Sequence, residues 1–421
     1  MMKAFRFRVY PTAEQEARLE AWEGALRFLW NLAHEQRLMG LHTVRDRRRY
    51  YTAVDQQRGL TELRAELPWL ADVPRHVCAQ VLVELDKAWQ RTFKKLGGEP
   101  RFKKLGRDGV AICETDPKVW SFVNDHIRFP KLGVLKTVLH RPIDGKPKTC
   151  SLTRDVDAWF VSIVCELPGE EPKPGTATGP SVAIDRGVAL LLADSDGRTV
   201  ENQEHLQRAR KHLARAQRRV SKKMKGSKNR EKAKRRVAVL HRKIRRQRDH
   251  QLHVQSSYYA KNHGVVIVED LNIRGMTKSA SGTKEKPGKN VAAKSGLNRS
   301  ILDAGWGRFA QMLDYKLKWR GGILLKVPAH YSSQTCAKCG HVDAKNRVSQ
   351  ARFWCTACDY EANADINAAC VLLSRGIHGA AVCGGSSALG KPAKQKLRVA
   401  RRGNQPTIGI SSEKPMVTGN L

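Results

Sequence analysis

A chain of 421 residues exceeds one ordinary hydrophobic core, so two to four packed units are expected. Its 77 Lys and Arg against 40 Asp and Glu leave a net charge of +37, a self-repulsion that calls for a polyanionic partner and puts nucleic acid ahead of a membrane surface. No apolar run is long enough to span a bilayer, and the opening MMKAFRFRVYPTAEQEARLE lacks the core of a signal peptide, so a cytoplasmic protein without a membrane partner is expected.

Residues 3–9, KAFRFRV, alternate basic and apolar side chains as a half-exposed strand does, and Tyr10-Pro11-Thr12 ends it. From 12 to 96 the apolar spacing is helical, as in Leu19, Trp22, Ala25, Leu26 and Leu29, then Val81, Leu82, Leu85 and Trp89. Residues 97–180 turn to short alternating runs such as HIRFPKLG and AWFVSIVCEL, which predict a small antiparallel sheet or barrel that the first strand could join. After the linker PGEEPKPGTATGP, the run SVAIDRGVALLLADSDG reads as two apolar strands joined by a tight turn, as an RNase H-like sheet would begin. A basic helical hairpin is expected over 203–250 with its turn at GSKN, residues 226–229, then a buried strand at 264–271 and a mobile Lys/Ser/Gly-rich loop at 277–298. A helix near 300–319 and the strand GILLKVP lead into a cysteine cluster, and the tail beyond about 378 is expected to be disordered or to order on binding.

Six cysteines, Cys78, Cys113, Cys150, Cys165, Cys370 and Cys383, are scattered and read as ordinary reduced residues. The other four form Cys336-Ala-Lys-Cys339 and Cys355-Thr-Ala-Cys358, separated by 15 residues, the spacing of a zinc ribbon. Four thiolates close a tetrahedral shell with no open position, so one structural zinc ion is predicted at Cys336, Cys339, Cys355 and Cys358. His341, beside the cluster, is not needed for that shell.

Three acidic residues carry the chemistry. Asp185 ends the strand VAID on the side of Ala183, and Gly187 lets the chain turn close by. Glu269 ends VVIVE on the face of Val265 and Ile267, with Asp270 pointing the other way. Asp365 opens the helix DINAACVLL behind a candidate N-cap, Asn363, on a stripe with Ala368, Ala369 and Leu372. Carboxylates are hard oxygen ligands, and three converging from two strands and a helix could bind two catalytic Mg²⁺ ions roughly 3.5–4 Å apart for in-line phosphodiester hydrolysis.

Taken in order, VAIDRGV, IVEDL, YSSQTCAKCG, FWCTAC and NADINAA resemble the TnpB family, and YPTAEQ, LRFLWN, GEPRFKK, FPKLG and AWFVSI extend the resemblance to about residue 376. It implies an α/β multidomain chain. A β-barrel, wedge-like domain (1–11 and 97–176) would carry a helical recognition insertion (12–96). A RuvC/RNase H-like nuclease (177–329 and 360–378) would carry an inserted zinc ribbon (330–359), with a disordered tail at 379–421. The family's catalytic trio falls on Asp185, Glu269 and Asp365. Its members are prokaryotic RNA-guided DNA endonucleases, so the implied partners are a guide non-coding RNA and target double-stranded DNA, read beside a short adjacent motif, with no protein oligomer required. A miniature type V CRISPR effector and a non-cleaving RNA-guided regulator are the alternatives. A DNA-joining transposase ranks low, because no His-hydrophobic-His motif with a tyrosine nucleophile is present. Asp185-Arg186-Gly187 and Asn363-Ala364-Asp365 depart from the family's frequent Asp-Leu-Gly and Asp-Arg-Asp without removing a carboxylate from the trio.

Overall fold

The computed structural model describes residues 1–42, 49–106, 108–283 and 285–383. Strand β1 (Met2–Tyr10) buries Phe5, Phe7 and Val9 and turns Arg6 outward, the alternation its sequence prescribes. Thr12 and Gln15 then cap α1 (Ala13–His42) reciprocally, each backbone N–H bonded to the other's side chain. Helices α2 (Ala53–Arg58), α3 (Leu60–Glu66), α4 (Pro68–Ala71) and α5 (Arg75–Phe93) follow.

Strands β2 (Ile112–Glu114), β3 (Ser121–Val123), β4 (His126–Phe129), β5 (Gly133–Val138), β6 (Lys146–Asp155) and β7 (Ala158–Glu166) join β1 in one antiparallel sheet of order β2-β6-β7-β1-β5-β4-β3. The first strand of the chain thus lies between β7 and β5, with all five helices inserted before the next strand. One core serves both layers, joining Phe5, Phe7, Val161 and Ile163 of the sheet to Trp22, Leu26, Leu82 and Leu85 of α1 and α5.

The second sheet is mixed, in the order β10-β9-β8-β11-β12. It comprises β8 (Ser181–Asp185), β9 (Leu190–Asp194), β10 (Thr199–Glu201), β11 (Val265–Glu269) and β12 (Ile323–Val327), with β8, β11 and β12 mutually parallel. Between β10 and β11 lies a helical hairpin of a basic arm, α6 (His205–Ser221), and a longer one, α7 (Lys228–Asn262), which leads back to β11. Its turn falls where expected, with the Ser227 hydroxyl accepting from the Arg230 N–H to cap α7. Helix α8 (Ile273–Met276) follows β11.

Two expectations change here. The loop expected through 298 gives way at Val291 to a helix, α9 (Val291–Ala304), pinned by Lys294 to the Met276 carbonyl and by Asn298 to the Thr277 carbonyl. Its Lys/Ser/Gly composition reads as a loop because these stabilising bonds are tertiary. The single helix expected near 300–319 is divided at Gly305, whose φ of +69° suits glycine, and resumes as α10 (Trp306–Lys318).

The ribbon hairpin, β13 (Arg352–Trp354) with β14 (Glu361–Asn363), precedes α11 (Ala364–Cys383). Helix α11 continues past 378, and the remainder of the expected tail lies outside the described residues. Among the described residues no helix is long and apolar enough to cross a membrane.

Candidate active site

Period-two alternation sorts the second sheet into two faces. Val182, Ile184, Val266 and Val268 pack on Leu252 and Tyr259 of α7 and on Phe309 and Leu313 of α10. Ala183, Ile267 and Val327 pack on Leu372 of α11. Asp185 and Glu269, the last residues of β8 and β11, continue that second register, so both carboxylates belong to the α11 side at the carboxyl edge of parallel strands. Gly187 is required immediately after, since a Cβ there would stand 2.7 Å from the Leu190 carbonyl oxygen.

Helix α11 completes the group. The Asn363 side chain accepts from the N–H groups of Asp365 (3.0 Å) and Ile366 (3.2 Å), fixing Asp365 in the first turn, while Ala368, Ala369 and Leu372 are buried. Asp185 feels the other two acids: burial first, then the charges of Glu269 and Asp365, push its carboxyl up to about 7. Burial also raises Glu269. Such a cluster favours a multivalent cation, which would relieve both the desolvation and the repulsion.

Two arginines that the sequence reading did not assign to the site complete its electrostatics. Arg347, from the segment between the two cysteine pairs, lies 3.1 Å from Asp365. Arg186, next to Asp185 but on the opposite register, is buried and donates to the carbonyls of Glu269 and Trp306. Asp270 is exposed, and its N–H donates to the Val327 carbonyl.

The four cysteines converge independently. All four sulfur atoms lie within 4.8 Å of one another, with Cys336 to Cys358 at 3.8 Å and Cys339 to Cys355 at 3.6 Å. Thiolates about 2.3 Å from one tetrahedral ion would stand about 3.8 Å apart, so the cluster can hold zinc. Among the described residues it is the one such group of three or more possible ligands, and the acidic trio is more open. Against the opposing effect of burial, the N–H groups of Ala357 and Cys358 hold the Cys355 thiol down to about 6, favouring the thiolate a metal needs.

Two buried asparagines brace the ribbon. Asn346 donates to the Gln334 and His341 carbonyls and accepts from the Thr356 N–H, linking the two cysteine turns. Asn367 of α11 accepts from the Ala337 N–H and donates to the Thr335 carbonyl, joining the first cysteine turn to the helix that carries Asp365. His341 contributes its backbone and is exposed.

Residues 162–280 match a family described as "Probable transposase", residues 306–372 one described as "Cas12f1-like, TNB domain", and residues 1–38 one described as "Helix-turn-helix domain". That last segment is here a strand and the greater part of one long helix. "Putative RNA-guided DNA endonuclease InsQ" of Escherichia coli (strain K12) is 38% identical over 397 residues, 94% of this chain and 97% of that protein. A "Putative RNA-guided DNA endonuclease" of Streptomyces pristinaespiralis is 33% identical over 95% of this chain and 94% of its own length. "CRISPR-associated endodeoxyribonuclease Cas12f1" of Sulfoacidibacillus thermotolerans is 49% identical over 59 residues, 14% of each chain.

Proposed function

Since the chain belongs to the TnpB family, we propose that it is an RNA-guided DNA endonuclease that cuts target DNA beside a short adjacent motif. The observation that carries the reading is the gathering of Asp185, Glu269 and Asp365 from β8, β11 and α11, close enough for their charges to raise the Asp185 carboxyl. Helices on both faces of the mixed sheet support an RNase H-like nuclease core over 177–329 and 360–378. The antiparallel sheet with its inserted helices supports a wedge-like domain and a recognition insertion over 1–176.

In this reading Asp185, Glu269 and Asp365 would hold two Mg²⁺ ions. When bound, those ions supply Lewis acidity to phosphodiester hydrolysis. The protein's own residues orient the site. The Asn363 cap fixes where Asp365 enters, Glu269 is buried and Asp185 half-buried on the α11 side, and Arg347 offers a cation beside Asp365 where a phosphate would pass. Cys336, Cys339, Cys355 and Cys358 would hold one structural zinc ion. The excess of basic residues suits a guide RNA and its heteroduplex through phosphate contacts.

Co-expression with the flanking DNA, sequencing of the RNA that co-purifies, and challenge with targets bordered by randomised bases test the proposal. A discrete RNA and Mg²⁺-dependent cutting of matched DNA are expected, with Asp185→Ala losing cleavage by at least about 10³-fold while still binding target. Recovery of no discrete RNA, or cutting untouched by Asp185→Ala, overturns it.

A further inference from the structure

Arg186 is 5% exposed, which is unusual for a guanidinium and costly. It lies just past the end of β8, and no salt bridge to it is formed among the described residues. It donates to two backbone carbonyls, Trp306 O at 3.3 Å and Glu269 O, and its Nε has no hydrogen-bond partner among the described residues. Trp306 answers by donating from Nε1 to the Gly187 carbonyl at 3.1 Å, so β8, β11 and the start of α10 are clasped around this one side chain. The surrounding face is apolar, formed by Val182, Ile184 and Trp306 among others, and a hydrophobic residue would pack there without the desolvation penalty. What a hydrophobic residue lacks is charge.

Asp185 and Glu269 lie on the opposite register, one residue along the chain and one strand across, and the Arg186 guanidinium, bonded to the Glu269 carbonyl, brings a positive charge to the ends of both strands. Resting on the reading of the trio as a cation site, we propose that Arg186 is a positioning residue that serves as a built-in counter-charge for Asp185 and Glu269, beside the Arg347 that faces Asp365. It holds the ends of β8 and β11 together before cations arrive, and in return weakens cation binding. The two roles are separable. A strut stabilises the fold equally with and without metal, whereas a counter-charge is most needed when metal is absent.

The test is thermal unfolding of the full-length chain in chelator and in saturating Mg²⁺, together with direct Mn²⁺ titration followed by its electron paramagnetic resonance signal. Arg186→Met is expected to lower Tm by about 5 °C or more in chelator and by less than half as much in Mg²⁺. It should bind Mn²⁺ severalfold more tightly. Arg186→Lys, which keeps the charge, should retain the parent's metal dependence. Adding Asp185→Asn to Arg186→Met should recover stability in chelator, and this double variant also serves if the single one does not accumulate folded. An equal Tm loss with and without metal, unchanged Mn²⁺ affinity, or failure of Asp185→Asn to recover stability overturns the proposal and leaves the trio's reading intact. If the parent and Asp185→Asn respond identically to metal, the cation-site reading fails, and this inference fails with it.

Discussion

Asn346 gives the sharpest test of how the ribbon is held. It is fully buried, and Asn346→Leu keeps much of its volume while removing its bonds to both cysteine turns. The partners do not lose equally. The Gln334 carbonyl keeps the Asp343 N–H at 3.3 Å, the His341 carbonyl keeps the Cys336 N–H at 2.9 Å, and the Thr356 hydroxyl is free to turn to water. The Thr356 N–H has no such replacement. One orphaned donor at about 1–3 kcal/mol and two weakened carbonyl bonds at about 0.5 kcal/mol each come to about 3 kcal/mol. If the loss falls on the zinc-bound geometry, affinity drops by about 100-fold, at about 1.4 kcal/mol for each factor of ten. The assay is competition for zinc between the full-length chain and a chromophoric chelator, with His341→Ala as the control. That control is expected to stay within about threefold of the parent, because its side chain is exposed and a four-thiolate shell is already complete. Asn346→Leu holding zinc as tightly as the parent would refute the bracing argument, and so would an equal loss in His341→Ala.

Burial and the charges of Glu269 and Asp365 hold the Asp185 carboxyl at about 7, above its ordinary 3.8, so the folded metal-free chain keeps a proton that the unfolded chain releases. Stability in chelator therefore falls as pH rises from about 4 to about 7 and is level above. Asp185→Asn should exceed the parent's Tm above about pH 7, with the advantage vanishing near pH 4; a gain independent of pH contradicts this. In the helical layer, Arg37 is fully buried with bonds to Asp86 (2.9 Å) and Gln56 (2.9 Å), and Asp86→Ala should destabilise the chain by about 3 kcal/mol in denaturant titration. A change under about 0.5 kcal/mol there would show that the pair is dispensable.

What the sequence by itself determined is what short-range backbone geometry encodes. Alternation in VAID and VVIVE set which face Asp185 and Glu269 take, because successive strand side chains point to opposite sides whatever lies beyond them. Asn363 announced the start of the helix under Asp365, and two Cys-x-x-Cys pairs announced a four-sulfur cluster, since each turn presents both thiols from four consecutive residues. The parts that stayed hidden depend on which elements stack. Arg186 meets Trp306 across 120 positions, Asn367 reaches Thr335 across 32, and α9 is pinned by bonds to a segment about twenty residues earlier. A lysine- and serine-rich run carries no local mark of those partners, and a buried arginine beside an aspartate reads as a surface charge until the helix above it is in place. Tertiary packing decided these features because burial and long-range hydrogen bonding, not local propensity, fix where such groups are tolerated.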